Sequence, residues 1–221
     1  MKTNKALILE VVDTPYGPFC VYGCEDEVEG WAHACGNLTY DPWTREQLDL
    51  LAPNCSLFVD LGAAFGFFSF YMFHKHKIRP ILAYECDPIR YGVLLRNANG
   101  NYWQCRYATI GQPCPLPPIG RMATARYSQR PDIKCPHHTL ENALWHAHWH
   151  NVVVKVDIEG AEFAAINQYP DVFKRENIKW VIECHHYAGS WEHMKQLAES
   201  YGRTVTLFHG PTENTAGLRI E

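Results

Sequence analysis

Three short strings hold the residues best suited to chemistry. The first, Phe58-Val59-Asp60-Leu61-Gly62-Ala63-Ala64-Phe65-Gly66, ends an apolar run on an acid and turns through two glycines. Glycine at such a turn permits positive φ and lets a ligand come close to the backbone. A dinucleotide would need G-x-G-x-x-G, so that its pyrophosphate rests on a helix N-terminus. Ala64 stands where the second of those glycines belongs. An acid followed by small residues suits a zwitterionic amino-acid moiety instead. Asp60 would take the ammonium group, directly or through water, and N–H groups around Gly62, Ala63 and Gly66 would take the carboxylate. The second string, Tyr84-Glu85-Cys86-Asp87-Pro88, places Glu85 where it can accept two hydrogen bonds from ribose hydroxyls, with Cys86 beside it. The third, Val153 to Glu162, ends a strand on Asp157 and continues through Glu159 to Glu162. Glu183, His185 and His186 follow a later strand, so these two strand ends meet at one mouth.

The elements that must position these groups read as an alternation. Ser56 to Leu61, Ile81 to Tyr84, Arg106 to Ile110, Val152 to Val156 and Trp180 to Cys184 are predicted strands. Helices are predicted over Gly66 to Lys75, Pro88 to Asn99, Thr139 to His148, Gly160 to Tyr169 and Trp191 to Tyr201. Thr204 to Phe208 and Leu218 to Glu221 read as edge strands. The expectation is an α/β, doubly wound, mostly parallel seven-stranded sheet covered on both faces. Ahead of it, Lys5 to Asp13 and Pro18 to Gly23 flank the turn Thr14-Pro15-Tyr16-Gly17 and predict an N-terminal β-hairpin. Thr44, with Gln47 three residues on, reads as the cap of a further helix. Residues 1–52 thus form an extension packed on a domain spanning 53–221. Prolines and four basic residues mark 111–136 as a long loop, either solvated or covering a substrate.

The string Lys155-Val156-Asp157-Ile158-Glu159-Gly160-Ala161-Glu162 resembles the FkbM family of methyltransferases. Val59 to Ala63, Glu85 with Pro88, Asn97, Thr139-Leu140-Glu141 and Val181 to His185 agree with it in order, over about Tyr40 to His186. Phe65, where the family usually has a small polar residue, and the proline-rich loop depart from it. The resemblance implies a Rossmann-like class I methyltransferase fold and S-adenosylmethionine as cofactor, with S-adenosylhomocysteine as product. It also implies O-methylation of a hydroxyl on a sugar, glycan or small natural product. A neutral alcohol is a poor nucleophile, so a base is needed as well as orientation. Asp157 and His185 are the candidate bases, with Glu183 beside them. Alternatively Asp157, Glu183 and a histidine could hold Mg²⁺ and polarise the hydroxyl. Glu162, one turn into its helix, reads as a cap or macrodipole residue.

Composition narrows the field. Of 221 residues, 47% are hydrophobic and 20% charged, which is a globular balance with enough chain for one substantial core. The net charge of −4 argues against a broad nucleic-acid footprint. An RNA methyltransferase and a non-catalytic module of the same fold stand as the rival readings. The basic loop would suit an anionic acceptor, and edge strands with exposed tryptophans leave room for a homodimer. Leu57 to Phe73 is interrupted by Asp60 and by glycine and serine, so it reads as buried strand and helix, with no membrane span. The first residues lack a signal-peptide pattern and the nine cysteines suggest free thiols, so a cytoplasmic location is expected. Zinc ligation by Cys20, Cys24, His33 and Cys35, or by Cys135, His137 and His138, is the sharper alternative for the thiols. His146, His148 and His150 read as a solvated helix end.

Overall fold

The computed structural model describes residues 7–99, 103–111, 135–209 and 214–221, with the backbone alone at 24–26, 146 and 149. Residues 112–134 of the proline-rich loop lie outside these. Strands β1 (Leu7–Thr14) and β2 (Gly17–Cys24) pair in register across the Thr14–Gly17 turn, as the hairpin expectation required. Helices α1 (Glu25–Gly36) and α2 (Pro42–Leu51) follow. Then come β3 (Leu57–Leu61), α3 (Phe67–His76), β4 (Ile81–Glu85), α4 (Pro88–Ala98), β5 (Trp103–Tyr107), β6 (Thr109–Ile110) and β7 (His137–His138). The chain closes with α5 (Leu140–Ala143), β8 (Val152–Val156), α6 (Glu162–Gln168), β9 (Ile178–His185), α7 (Trp191–Ser200), β10 (Val205–His209) and β11 (Thr215–Ile220).

The main sheet has the order β10-β11-β9-β8-β3-β4-β5, with β3, β4, β5, β8 and β9 parallel and β11 antiparallel to both neighbours. The order reverses between β3 and β8, so a crevice opens at their carboxyl ends, where open α/β sheets bind ligands. Every residue of β3, β4 and β8 is buried, as expected of strands covered on both faces. One face packs on α5, α6 and α7 through Leu140, Phe163, Phe173, Trp180 and Met194. The other packs on the extension and on α2, α3 and α4 through Phe19, Val28, Leu48, Phe58, Phe70 and Leu94. The fold is the doubly wound, Rossmann-like one expected.

Several sequence expectations are corrected. Leu218 lies in an interior strand, because β11 inserts between β9 and β10. The cap of α2 is Asp41, whose side chain accepts the Thr44 N–H, so Thr44 is inside the helix and buried. The third strand begins at Trp103, three residues before Arg106, because its Trp-Gln-Cys-Arg-Tyr alternation suits a strand with one open face. The helix expected over Thr139 to His148 is one capped turn at Leu140–Ala143 followed by a 3₁₀ segment, Trp145–Trp149. Helix α1, which buries Val28, Ala32 and Cys35 with Trp31 packed beside them, was not among the helices expected. Among the described residues no cysteine forms a disulfide. Among the described residues no helix is long and apolar enough to cross a membrane.

Candidate active site

The turn after β3 is built by backbone geometry that few residues tolerate. Gly62 has φ +79° and Gly66 φ +85°. A Cβ on Gly62 would stand 1.7 Å from the Asp157 carbonyl oxygen, and one on Gly66 would stand 2.5 Å from Leu94. Glycine is therefore required at both positions, and the first presses the turn against the end of β8. Ala64 also has positive φ, +50°, a strain of the sort that gathers at functional sites. The N–H groups of Gly62 and Ala63 both donate to the Tyr84 carbonyl, and that of Gly66 donates to Ala63. These residues thus shape the turn, and their N–H groups already have partners. The N-terminus of α3 has no side-chain cap, which leaves the positive end of a ten-residue helix for a carboxylate.

Glu85, at the carboxyl end of β4, closes the other side. Its Oε2 accepts the Ala64 N–H at 2.8 Å and its Oε1 accepts the Asp87 N–H at 2.7 Å. A carboxylate has about four acceptor positions, so two remain for other donors. Burial pushes its pKa up, against the Arg90 charge and the two N–H bonds. Cys86 lies half-buried on the same loop. Asp87 caps α4 by accepting the Ile89 and Arg90 N–H groups.

Asp60 does not face the crevice. It is fully buried, accepts the Ser69 hydroxyl at 2.8 Å and lies 3.5 Å from Lys155 Nζ. Lys155 also donates to the Gly62 carbonyl at 3.0 Å and reaches Asp157 at 3.4 Å. Burial pulls the lysine pKa down, and Asp157 and Asp60 more than restore it, so the ammonium stays charged. Burial drives Asp60 up and Lys155 only partly offsets this. A lysine inside a buried strand is rare unless paired, and that was the available sign of this junction.

At the ends of β8 and β9, Asp157, Glu159, Glu162 and His185 converge. Glu162 is fully buried, and its Oε1 accepts the Ile158 and Gly160 N–H groups, each at 3.1 Å. It therefore fastens the loop ahead of its own helix, whose N-terminus has no side-chain cap, contrary to the cap expected, and also takes His185 Nδ1 at 2.8 Å. His185 Nε2 lies 3.6 Å from Glu159 and 4.0 Å from Asp157. Burial lowers the imidazole pKa, but the Glu162 bond and the surrounding acids bring it to about 9. Among the described residues, Asp157, Glu159 and His185 bring potential ligand atoms within 4.8 Å of one another. Glu183, which the sequence placed in a cation shell, stands outside it. Nothing in the local sequence announces the closeness of Glu159 to His185. Among the described residues neither zinc grouping assembles. His148 is exposed and His150 contacts Ser56 Oγ at 3.3 Å.

Glu183 instead lines a cleft of about 260 Å³ with Asp41, Trp43, Phe208, His209 and Gly217. Trp43 is 52% exposed and packs on His209 at 4.9 Å between centroids. Burial and the Asp157 charge raise the Glu183 pKa to about 7. Phe65 meets Trp31 of α1 edge-on at 5.3 Å, so the ring ahead of Gly66 packs on the extension.

No family profile and no curated protein matches the chain. Among solved structures it is similar to the ribosomal protein L11 methylase of Lactobacillus delbrueckii subsp. bulgaricus, with a TM-score of 0.48 and 12% identity over 84% of this chain and 80% of that one. It is also similar to a TehB-like SAM-dependent methyltransferase from Corynebacterium glutamicum, with a TM-score of 0.47 and 11% identity over 88% and 96%. TrmK of M. capricolum, solved with S-adenosyl-homocysteine, gives 0.46 and 11% over 79% and 67%.

Proposed function

We propose that the chain is an S-adenosylmethionine-dependent methyltransferase acting on a hydroxyl of a small-molecule or glycan acceptor. The observation that supports this best is the pairing of Glu85 with the Ala64 N–H of the glycine turn, at the carboxyl ends of adjacent parallel strands. The donor set suits the cofactor. Glu85 keeps acceptor positions for a ribose diol, the uncapped α3 N-terminus suits the amino-acid carboxylate, and small residues at 62–64 let the ligand approach. Asp60 acts indirectly in this reading, holding Lys155 and through it the Gly62 carbonyl and Asp157. Cys86 lies along the same loop as Glu85. The bound cofactor supplies an electrophilic methyl group.

The protein's own share is orientation and proton removal. Glu183 lines the cleft and feels the charge of Asp157, and it is the group best placed to take the acceptor's proton. Asp157 and His185 hold the mouth next to it. Asp41, joined by Glu183 whenever it is ionised to act as base, puts negative charge on the described wall of the cleft, so the acceptor is best read as uncharged, which speaks against a polyanion such as RNA.

Calorimetric titration with S-adenosylhomocysteine tests the cofactor assignment. Micromolar binding that falls by roughly tenfold or more in Glu85→Ala is the expected outcome, for the loss of about 1.5–3 kcal/mol of hydrogen bonding to a charged group. Absence of binding by the native protein would remove this reading.

A further inference from the structure

We propose that Asp157, Glu159 and His185 form a binding site for a first-row divalent transition ion, of the Mn²⁺ or Zn²⁺ class, at the joined ends of β8 and β9. The site is built from behind. His185 is only 7% exposed, and Glu162 engages its Nδ1 at 2.8 Å. Glu162 is itself held by two backbone N–H groups, so the ring has one orientation. A histidine whose Nδ1–H is taken by a carboxylate offers its Nε2 to a cation that displaces the proton there, the arrangement that orients metal-ligating histidines. Among the described residues Nε2 makes no hydrogen bond, and it points at Glu159 Oε2 and Asp157 Oδ1, 3.6 and 4.0 Å away.

Those separations suit a shared cation. Ligand atoms bound at about 2.0–2.2 Å stand roughly 3.4 Å apart in a tetrahedral shell and about 3–4.2 Å apart in an octahedral one. A lone pair aimed at two carboxylates is repulsive unless a proton or a metal ion lies between them. One imidazole with two carboxylates favours the transition ions over Mg²⁺, which prefers an all-oxygen shell. Asp157 and Glu159 keep side-chain exposures of 27% and 42%, so an ion has a path in and further positions open to water or a substrate oxygen. Use of such an ion to polarise the acceptor hydroxyl rests on the proposed methyl transfer; binding of the ion does not.

The full chain is titrated with MnCl₂ and the loss of the free-Mn²⁺ paramagnetic resonance signal is followed, without S-adenosylhomocysteine. One equivalent should bind with micromolar affinity, and Zn²⁺ should displace it. Glu159→Gln, a near-isosteric change at a half-buried position, should weaken binding by roughly tenfold or more. Asp171→Asn, an exposed acid elsewhere, should leave it unchanged. Nitrogen-15 spectra of the imidazole distinguish the rival occupant. Paramagnetic broadening of the His185 Nε2 signal supports the site. A protonated Nε2 that Mn²⁺ leaves untouched, or Mn²⁺ affinity equal in the native and Glu159→Gln proteins, overturns it. Failure of cofactor binding would leave this result standing, because the two titrations are separate.

Discussion

Lys155 is 4% exposed between two acids, Asp60 and Asp157, with the Gly62 carbonyl also in reach. Burying such a charge costs several kcal/mol, and the surrounding partners offset that cost only while all are present. Lys155→Met keeps the volume and removes the ammonium, leaving Asp60 buried with Ser69 alone. The expected loss is about 3 kcal/mol in urea unfolding. The double variant Asp60→Asn with Lys155→Met should be more stable than Lys155→Met alone. If Lys155→Met unfolds at the native urea midpoint, Asp60 is uncharged in the native protein and the ion pair is absent. The strand-end acids were legible because Asp60, Glu85 and Asp157 each close an apolar run. The direction in which each side chain points was not. Asp60 turned inward and Glu159 met His185 through contacts distant in sequence, which no local pattern encodes.

Between elements, the α2–α3 joint shows how a surface network can report on pH. Asp49 of α2 accepts the Tyr71 hydroxyl at 2.9 Å, Lys75 Nζ at 2.7 Å and His76 Nε2 at 2.6 Å, all from α3. Burial pushes the Asp49 carboxyl up, and hydrogen bonds from Lys75, His76 and Tyr71 more than offset this, leaving it below its usual value. A depressed carboxylate stabilises the fold above its unfolded pKa, about 3.9, and that contribution fades as pH falls through the lower folded value. Asp49→Asn should therefore reduce stability by no more than about 1 kcal/mol at neutral pH, the side chains being over a third exposed. The difference from the native protein should shrink below pH ~3.9, read as denaturant midpoints across pH. A gap that stays constant into strong acid would assign the effect to packing. The parallel strands were legible at this scale because β-branched runs buried on both faces carry a strong signal. Helix α1 was not, since its stripe of Val28, Trp31, Ala32 and Cys35 spans only two turns and includes small residues. The interior place of β11 follows from pairing with β9 and β10, which residue composition does not report.

Across the whole molecule, the extension and the sheet share one hydrophobic layer: Phe19 meets Phe67 and Phe70 at 6.0 and 5.2 Å. The hairpin itself is tied to this layer by a polar residue at the end of α4. Asn97 accepts the Cys20 N–H at 2.7 Å and donates to the Cys20 carbonyl at 2.9 Å and the Phe65 carbonyl at 2.7 Å. It joins the hairpin, the glycine turn and α4 while only 7% exposed. Asn97→Ala would strand three backbone groups, and each buried unsatisfied group costs about 1–3 kcal/mol. The hairpin holds by its apolar contacts as well, so a total loss of about 3 kcal/mol is expected, with faster amide exchange at Cys20 and first proteolytic cuts within 7–24. Because Asn97 also bonds the Phe65 carbonyl beside Gly66, S-adenosylhomocysteine affinity should fall in the same variant although Asn97 stands behind the turn. Loss of hairpin protection with unchanged cofactor affinity would mean that the extension is fastened to the domain without tuning its site.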